Sequence, residues 1–397
     1  MQTNRYWIWL SQLNISPRAR ACVVQLFGDA ETAFLSKPGS FSGRAGISAR
    51  EAAQLELRDL TDVDRTLACC RAQDLRVLPI TDPAYPDCLR QLFDPPAVLF
   101  VLGTLPPVDE IPVLAVIGTR RASPYGIKMG GELAARLAAD GAVVLSLLTQ
   151  GIDEAAAKGA LLSHGPCIGV LGTSHEVCRL SLVREVAQTG AVISEYPPGR
   201  VSMRHFFRER NRIAAGLSDG VVVVEAPEKS GTRLFVTEAV EQGKDVFAVP
   251  GNADSENAAG TLSLIKEGAK LVTDAEDVLE EYWGRYPLCF SEKHELPPKE
   301  SRPAQRKQPA APGKPAAPGK PAAPPPPAPL PDPVNLTEDQ TRILDAIGAY
   351  SAHVDDITEQ TGLPMARVLS QLTILEIRGL VRHEAGKRFA RTEIHTK

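Results

Sequence analysis

Val113-Leu114-Ala115-Val116-Ile117-Gly118-Thr119-Arg120-Arg121-Ala122-Ser123-Pro124-Tyr125-Gly126 is the stretch that decides the fold. An unbroken apolar run ends in a glycine, a polar loop follows, and a helical pattern begins at about Ile127. A strand that is apolar on both faces belongs inside a parallel sheet covered by helices. The same signature recurs at Ala142–Leu147, Cys167–Leu171, Ala191–Ser194, Val221–Glu225 and Val246–Val249, each run followed by a glycine-containing turn or a helical segment. Two further runs, Leu75–Ile80 and Ala97–Val101, precede the first. Alternating strands and helices predict an α/β fold, an extended Rossmann-like doubly wound parallel sheet over residues 66–290.

The flanks read differently. Residues 1–65 predict a small helical domain of the SAM or helix-hairpin-helix kind, with Tyr6, Trp7, Trp9 and Leu10 on one helix and Ser16-Pro17 opening another that ends near Gly28. Gly46-Ile47-Ser48 before Ala49–Leu57 resembles half of a helix-hairpin-helix. Residues 291–335 are rich in Pro, Ala, Gly and Lys, with Ala-Ala-Pro-Gly-Lys-Pro twice in succession from Ala310. Such a sequence builds no core and reads as a basic, semi-rigid linker. Beyond it, 336–397 predicts a winged helix, with helices to Ile347, over Val354–Thr361 and from Pro364 to Arg378, then a hairpin wing. On the third helix Val368, Leu369, Leu372, Leu375 and Ile377 supply the apolar face. That domain holds 8 Lys/Arg against 9 Asp/Glu, and the recognition helix offers only Arg367 and Arg378. A major-groove reader carries a basic face, so protein contact is favoured over duplex reading.

Composition narrows the class. The 397 residues are 43% hydrophobic and 23% charged with a net charge of −4, as in a globular protein whose nucleic-acid binding would need a local patch. The seven cysteines form no C-x-x-C pair and no cluster with histidines, so neither a zinc site nor a disulfide framework is suggested. No signal-peptide pattern and no membrane-length apolar run is present, so the expectation is a cytoplasmic protein with no membrane partner.

The chemistry concentrates on loops that follow strands, where ligands of such sheets bind. Gly118 to Gly126 suits a phosphate, because glycines admit backbone amides and a helix N-terminus favours negative charge. It is neither G-x-G-x-x-G nor G-x-x-x-x-G-K-[ST], which argues against NAD and against P-loop ATP hydrolysis. Gly151-Ile152-Asp153, Gly172-Thr173-Ser174 and Glu228-Lys229-Ser230-Gly231-Thr232 complete the set. Arg204-His205-Phe206-Phe207-Arg208-Glu209-Arg210-Asn211-Arg212 adds four arginines and two phenylalanines against one acid. Guanidinium groups pair with phosphates and phenyl faces stack on unpaired bases. Together these loops predict a basic crevice that tracks a single-stranded phosphodiester backbone, with no cofactor.

From Ala115 to Asp277 the chain resembles the DNA-processing protein A (DprA, or Smf) family. The resemblance rests on Gly118-Thr119-Arg120 with Tyr125-Gly126, Gly151-Ile152-Asp153, Leu171-Gly172-Thr173, Arg210 through Ser218, Glu228 through Thr232, and Val246 through Gly251. It implies a non-catalytic homodimer that binds single-stranded DNA and loads RecA recombinase onto strands entering in natural transformation. It also implies departures. Leu147, Leu148 and Gln150 stand where the family has a glycine-rich segment, Ala157 where it has histidine, Arg208 where it has proline, and Leu262 where it has a polar residue.

Roles follow on the same residues. Arg120, Arg212 and Lys229 are expected to hold phosphates, with Arg121, Arg208, Thr119, Ser123, Thr173, Ser230, Gly231 and Thr232 assisting. Phe207 is expected to stack a base, and Gly118, Gly126, Gly151 and Gly172 to admit the strand. Arg210, Asn211 and Asp153 fit either the site or internal hydrogen bonding. Leu262, Leu264 and Ile265 are expected at the dimer interface, with burial in the core as the other reading. The rival function is a nucleotide-binding enzyme resembling the phosphoribohydrolases. It needs an acid three residues after Thr232, where Phe235 stands; Glu238 is the next acid.

Overall fold

The structure, a computed structural model, describes residues 3–178, 181–290, 337–347, 352–377, 380–384 and 388–391. The expected linker over 291–335 lies outside them. The chain divides into two units, 1–302 and 303–397.

In the first unit five helices lead: α1 (Thr3–Gln12), α2 (Pro17–Phe27), α3 (Ala30–Leu35), α4 (Ala49–Glu56) and α5 (Val63–Ala72). Ser16 caps α2 by accepting from the Ala19 amide, and Gly28 closes it with φ +81°. Trp7 and Trp9 are buried with Phe41 and Leu55. The helical run passes residue 65, and its core is completed by Leu75 and Val77 of β1 (Leu75–Pro79) and by Val98 and Phe100 of β2 (Val98–Gly103). At the half-motif around Gly46, the N-terminus of α4 is closed by Glu51, which accepts from the Ser48 and Ser16 amides and hydroxyls. A short helix, α6 (Asp87–Arg90), lies between β1 and β2.

The body then alternates β3 (Val113–Ile117), α7 (Pro124–Ala139), β4 (Val143–Ser146), α8 (Ile152–Leu162), β5 (Cys167–Leu171), α9 (Leu182–Thr189), β6 (Ala191–Ser194), α10 (Phe206–Leu217), β7 (Gly220–Val223), α11 (Gly231–Glu241), β8 (Asp245–Ala248), α12 (Glu256–Lys266) and β9 (Lys270–Leu271). Two short helices, α13 (Glu276–Leu279) and α14 (Pro287–Phe290), follow. The nine-stranded sheet runs β1-β2-β6-β5-β4-β3-β7-β8-β9. From β6 to β9 every pair is parallel, whereas β1–β2 and β2–β6 are antiparallel, so the two early strands extend the parallel sheet as an antiparallel edge.

Period-2 alternation explains the double winding. Leu114 and Val116 face a core shared with α7, α8 and α9, while Val113, Ala115 and Ile117 face one shared with α10 and α11. The chain steps outward from β3 to β6, then returns through α10 to place β7 on the other side of β3. That reversal is the topological switch point, where the loops after β3 and β7 diverge and leave a crevice.

The second unit contains α15 (Glu338–Ile347), β10 (Ala352–His353), α16 (Val354–Thr361), α17 (Met365–Ile377), β11 (Val381–Glu384) and β12 (Arg388–Arg391), with strand order β10-β12-β11. Ile343, Ile357, Val368, Leu372, Leu375 and Phe389 form its core, as expected for a winged helix. Leu369 departs from the expected apolar face, being 44% exposed. Arg367 on α17 is paired with Asp339 at 2.6 Å, while Arg378 and the wing turn at 385–387 lie outside the described residues.

Candidate nucleic-acid interface

A crevice of about 390 Å³ opens at the switch point. Gly118, Thr119 and Arg120 line it from the loop after β3, Leu147, Thr149 and Asp153 from the loop after β4 and the start of α8, Phe207, Arg208, Arg210 and Asn211 from α10, and Ser230, Gly231, Thr232 and Leu234 from the start of α11.

Arg120 and Arg208 are exposed and make no ion pair among the described residues. Lys229 stands exposed beside Ser230, and Arg121 beside Arg120. Phe207 is half-buried on the crevice wall, with the Arg210 guanidinium 6.0 Å from its ring centroid. Gly172 lies behind that ring, and a Cβ there would meet Phe207 at 3.0 Å, so the glycine sets the depth of the wall. Thr173 is buried beside it, its carbonyl accepting from the Ser194 hydroxyl at 2.7 Å. Phe206, the other phenylalanine, is buried and stacked on Tyr196 at 3.9 Å.

The floor is a buried polar layer. Asp153 accepts from the Thr149 hydroxyl at 3.0 Å and the Leu147 amide at 3.3 Å, and burial pushes its carboxyl up to about 6. Arg210 is buried and donates to the Leu147 and Val170 carbonyls at 3.1 Å each; burial lowers its guanidinium to about 10. Asn211 is buried and accepts from Arg210 Nε at 3.3 Å. Of the two readings open for Arg210, Asn211 and Asp153, internal hydrogen bonding is what these contacts display. Gly151, at φ +86°, packs against the Thr119 and Arg120 backbone, and Gly118 against Ile152, so both hold neighbouring loops together.

Helix N-termini differ sharply. At α7 the anion position is already filled by the protein. Glu225 Oε2 accepts from the Ser123 amide at 2.9 Å, the Ser123 hydroxyl donates to Oε1, and Ser123 Oγ accepts from the Gly126 amide at 3.1 Å. A Cβ on Gly126 would collide with that carboxylate. The expected phosphate role of Ser123 and Gly126 is therefore corrected, because a buried internal carboxylate occupies the place. At α11 nothing comparable intervenes. Among the described residues Ser230 at the N-cap makes no side-chain cap bond, its hydroxyl is buried without a partner, and a Cβ on Gly231 would meet no atom of another part of the chain within 4 Å. This N-terminus faces the crevice open.

Arg212 is the second correction. It is 5% exposed and forks onto Glu195 Oε1 and Oε2 at 2.8 and 2.9 Å, with Asp94 at 3.4 Å. Those carboxylates hold its guanidinium above the usual arginine range against the burial that would lower it. Its charge is spent inside the fold. Arg208 lies one turn earlier on α10 and faces solvent.

Sequence profiles of two domains match the chain. One, described as DNA recombination-mediator protein A, spans residues 76–283, more than half of the 397. The chain belongs to the DNA recombination-mediator protein A family. The second profile, the DprA winged helix domain, spans residues 321–387. DNA processing protein DprA of Bacillus subtilis is 38% identical over 221 residues, 55% of this chain and 74% of that protein. Protein Smf of Synechocystis is 31% identical over 318 residues, 78% of each chain. The crystal structure of DNA processing protein A from Streptococcus pneumoniae superposes with a TM-score of 0.59 at 31% identity, covering 70% of this chain and 97% of that one.

Departures from the pattern of DNA recombination-mediator protein A now have positions. Leu147 is buried and roofs Arg210 through its carbonyl, Ala157 is fully buried in the α7–α8 core, and Gln150 is exposed. Leu234, 51% exposed on the crevice wall, carried no signal in the sequence, since only its turn of α11 aims it there. Leu264 is buried in the core, the other reading open for it, while Ile265 is partly buried beside that core and Leu262 is partly buried as well.

Proposed function

We propose that this member of the DNA recombination-mediator protein A family is a non-catalytic, cytoplasmic single-stranded-DNA-binding protein. The observation that carries the reading is the crevice itself. Arg120 and Arg208 line it beside Phe207 and the open N-terminus of α11, exposed and without an ion pair among the described residues, and Lys229 stands exposed next to Ser230. Free cations take successive phosphates, the ring stacks a base, and neither reads sequence. Such a protein coats incoming strands and hands them to RecA recombinase.

The rival phosphoribohydrolase reading lacks its carboxylate. Phe235 is buried at the expected catalytic position, and Glu238 accepts from Gln242 Nε2 at 2.8 Å and does not line the crevice. Among the described residues Asp153 is the one acid lining it, and its oxygens already serve Thr149 and Leu147.

Gel shifts should give oligo-dT a markedly higher affinity than duplex of equal length, with no base released from nucleoside monophosphates. Equal affinity for duplex, or base release, would sink the reading.

The homodimer is proposed to form around α12, with Leu262 as its apolar contact, because it is only partly buried and not among the buried residues of that helix. Leu262→Arg is expected to give a folded monomer by light scattering with a melting temperature close to that of the parent. A dimer that persists in this variant places the interface elsewhere.

A further inference from the structure

A second pocket lies beside the crevice on the same sheet edge. Its volume is about 500 Å³, and Ser123, Tyr125, Glu225, Asn252, Ser255 and Thr261 are among its walls. The loop after β3 joins the two spaces: Gly118, Thr119 and Arg120 line the crevice, and Ser123 and Tyr125 line the pocket. We propose that this pocket is a second subsite, which takes an unpaired base of a single strand as it leaves the crevice. The proposal rests on the single-strand reading above.

Tyr125 supplies the stacking face. The residue is 48% exposed, yet its hydroxyl donates to the Pro250 carbonyl at 3.1 Å, which tethers the end of the ring beside the pocket. An aromatic face held in place and left wet suits a base, since every base has a π-face. Asn252 is exposed in the opposite loop, and an amide there offers both a donor and an acceptor to a base edge.

Charge selects a base over a phosphate. The Glu225 carboxylate in the wall is bound by Ser123 and lies 3.5 Å from Asn257 Nδ2, and it would repel a phosphate at that depth. A neutral base pays no such penalty. The connecting phosphate then lies over the joining loop, where Arg121 is exposed without an acid partner among the described residues.

Two measurements test the subsite. Tyr125→Ala should weaken binding of an oligo-dT of about 20 nucleotides by about tenfold with an unchanged salt slope, while Tyr125→Phe stays within about twofold. Tyr125→Trp should show emission quenched by that oligonucleotide and not by dTMP at equal nucleotide concentration. Absence of quenching by the oligonucleotide, or equal quenching by dTMP, overturns the strand-exit subsite. Phe207→Ala separates the two ideas. If it leaves oligo-dT affinity unchanged, the crevice reading fails; if it lowers affinity while Tyr125→Ala does not, the subsite alone fails.

Discussion

Arg212→Ala is expected to lower the unfolding free energy by about 3–5 kcal/mol, because it strands a buried carboxylate without its partner. Glu195 is 5% exposed and receives both terminal contacts from one guanidinium nitrogen, while Asp94 completes the cluster. Urea unfolding followed by circular dichroism measures the loss, and pairing Arg212→Ala with Glu195→Ala should recover a good part of it. Oligo-dT affinity under conditions where the variant remains folded should stay close to that of the parent. A fully stable variant that has lost DNA affinity and salt dependence would return Arg212 to the phosphate track.

The crevice cations should behave in the opposite way. Arg120→Ala, Arg208→Ala and Lys229→Ala each remove an exposed charge that no acid of the described structure neutralises, so melting temperatures should hold. Each should reduce the magnitude of the log–log salt slope by about 0.7, the single-strand value per phosphate, and weaken binding to all sequences alike. Phe207→Ala should cost about 1–3 kcal/mol of binding at an unchanged slope, since stacking is uncharged. Fluorescence anisotropy titrations across a salt series read both quantities. Parent-like slopes in all three charge variants would refute the phosphate track, whatever the family profile says.

These two sets of variants differ by a distinction that local sequence does not contain. Arg208 and Arg212 are the same residue type one turn apart on α10, and nothing in Arg204–Arg212 tells them apart. What separates them is Glu195 at the end of β6 and Asp94 before β2, both distant along the chain and brought together by the antiparallel pairing of β2 with β6. The glycine loops divide for the same reason. Gly118–Gly126 and Glu228–Thr232 look equally suited to a phosphate, but Glu225 after β7 reaches the first helix N-terminus and no carboxylate of the described residues caps the second. The sequence singled out Phe207, which lines the crevice, whereas the position of Leu234 on the same wall and the pocket around Tyr125 needed the helices in place.

The sequence by itself determined the strands, their order of appearance and their burial on both faces, because a run such as Val113–Ile117 meets water on neither side only inside a helix-covered parallel sheet. It also determined that the ligand loops gather at one sheet edge, since every parallel strand ends there. Only the tertiary structure decided which charges remain free for a ligand. An ion pair depends on a few ångströms between groups far apart in the chain, and folding neutralised Arg212 and filled the N-terminus of α7 while leaving Arg120, Arg208 and the N-terminus of α11 open.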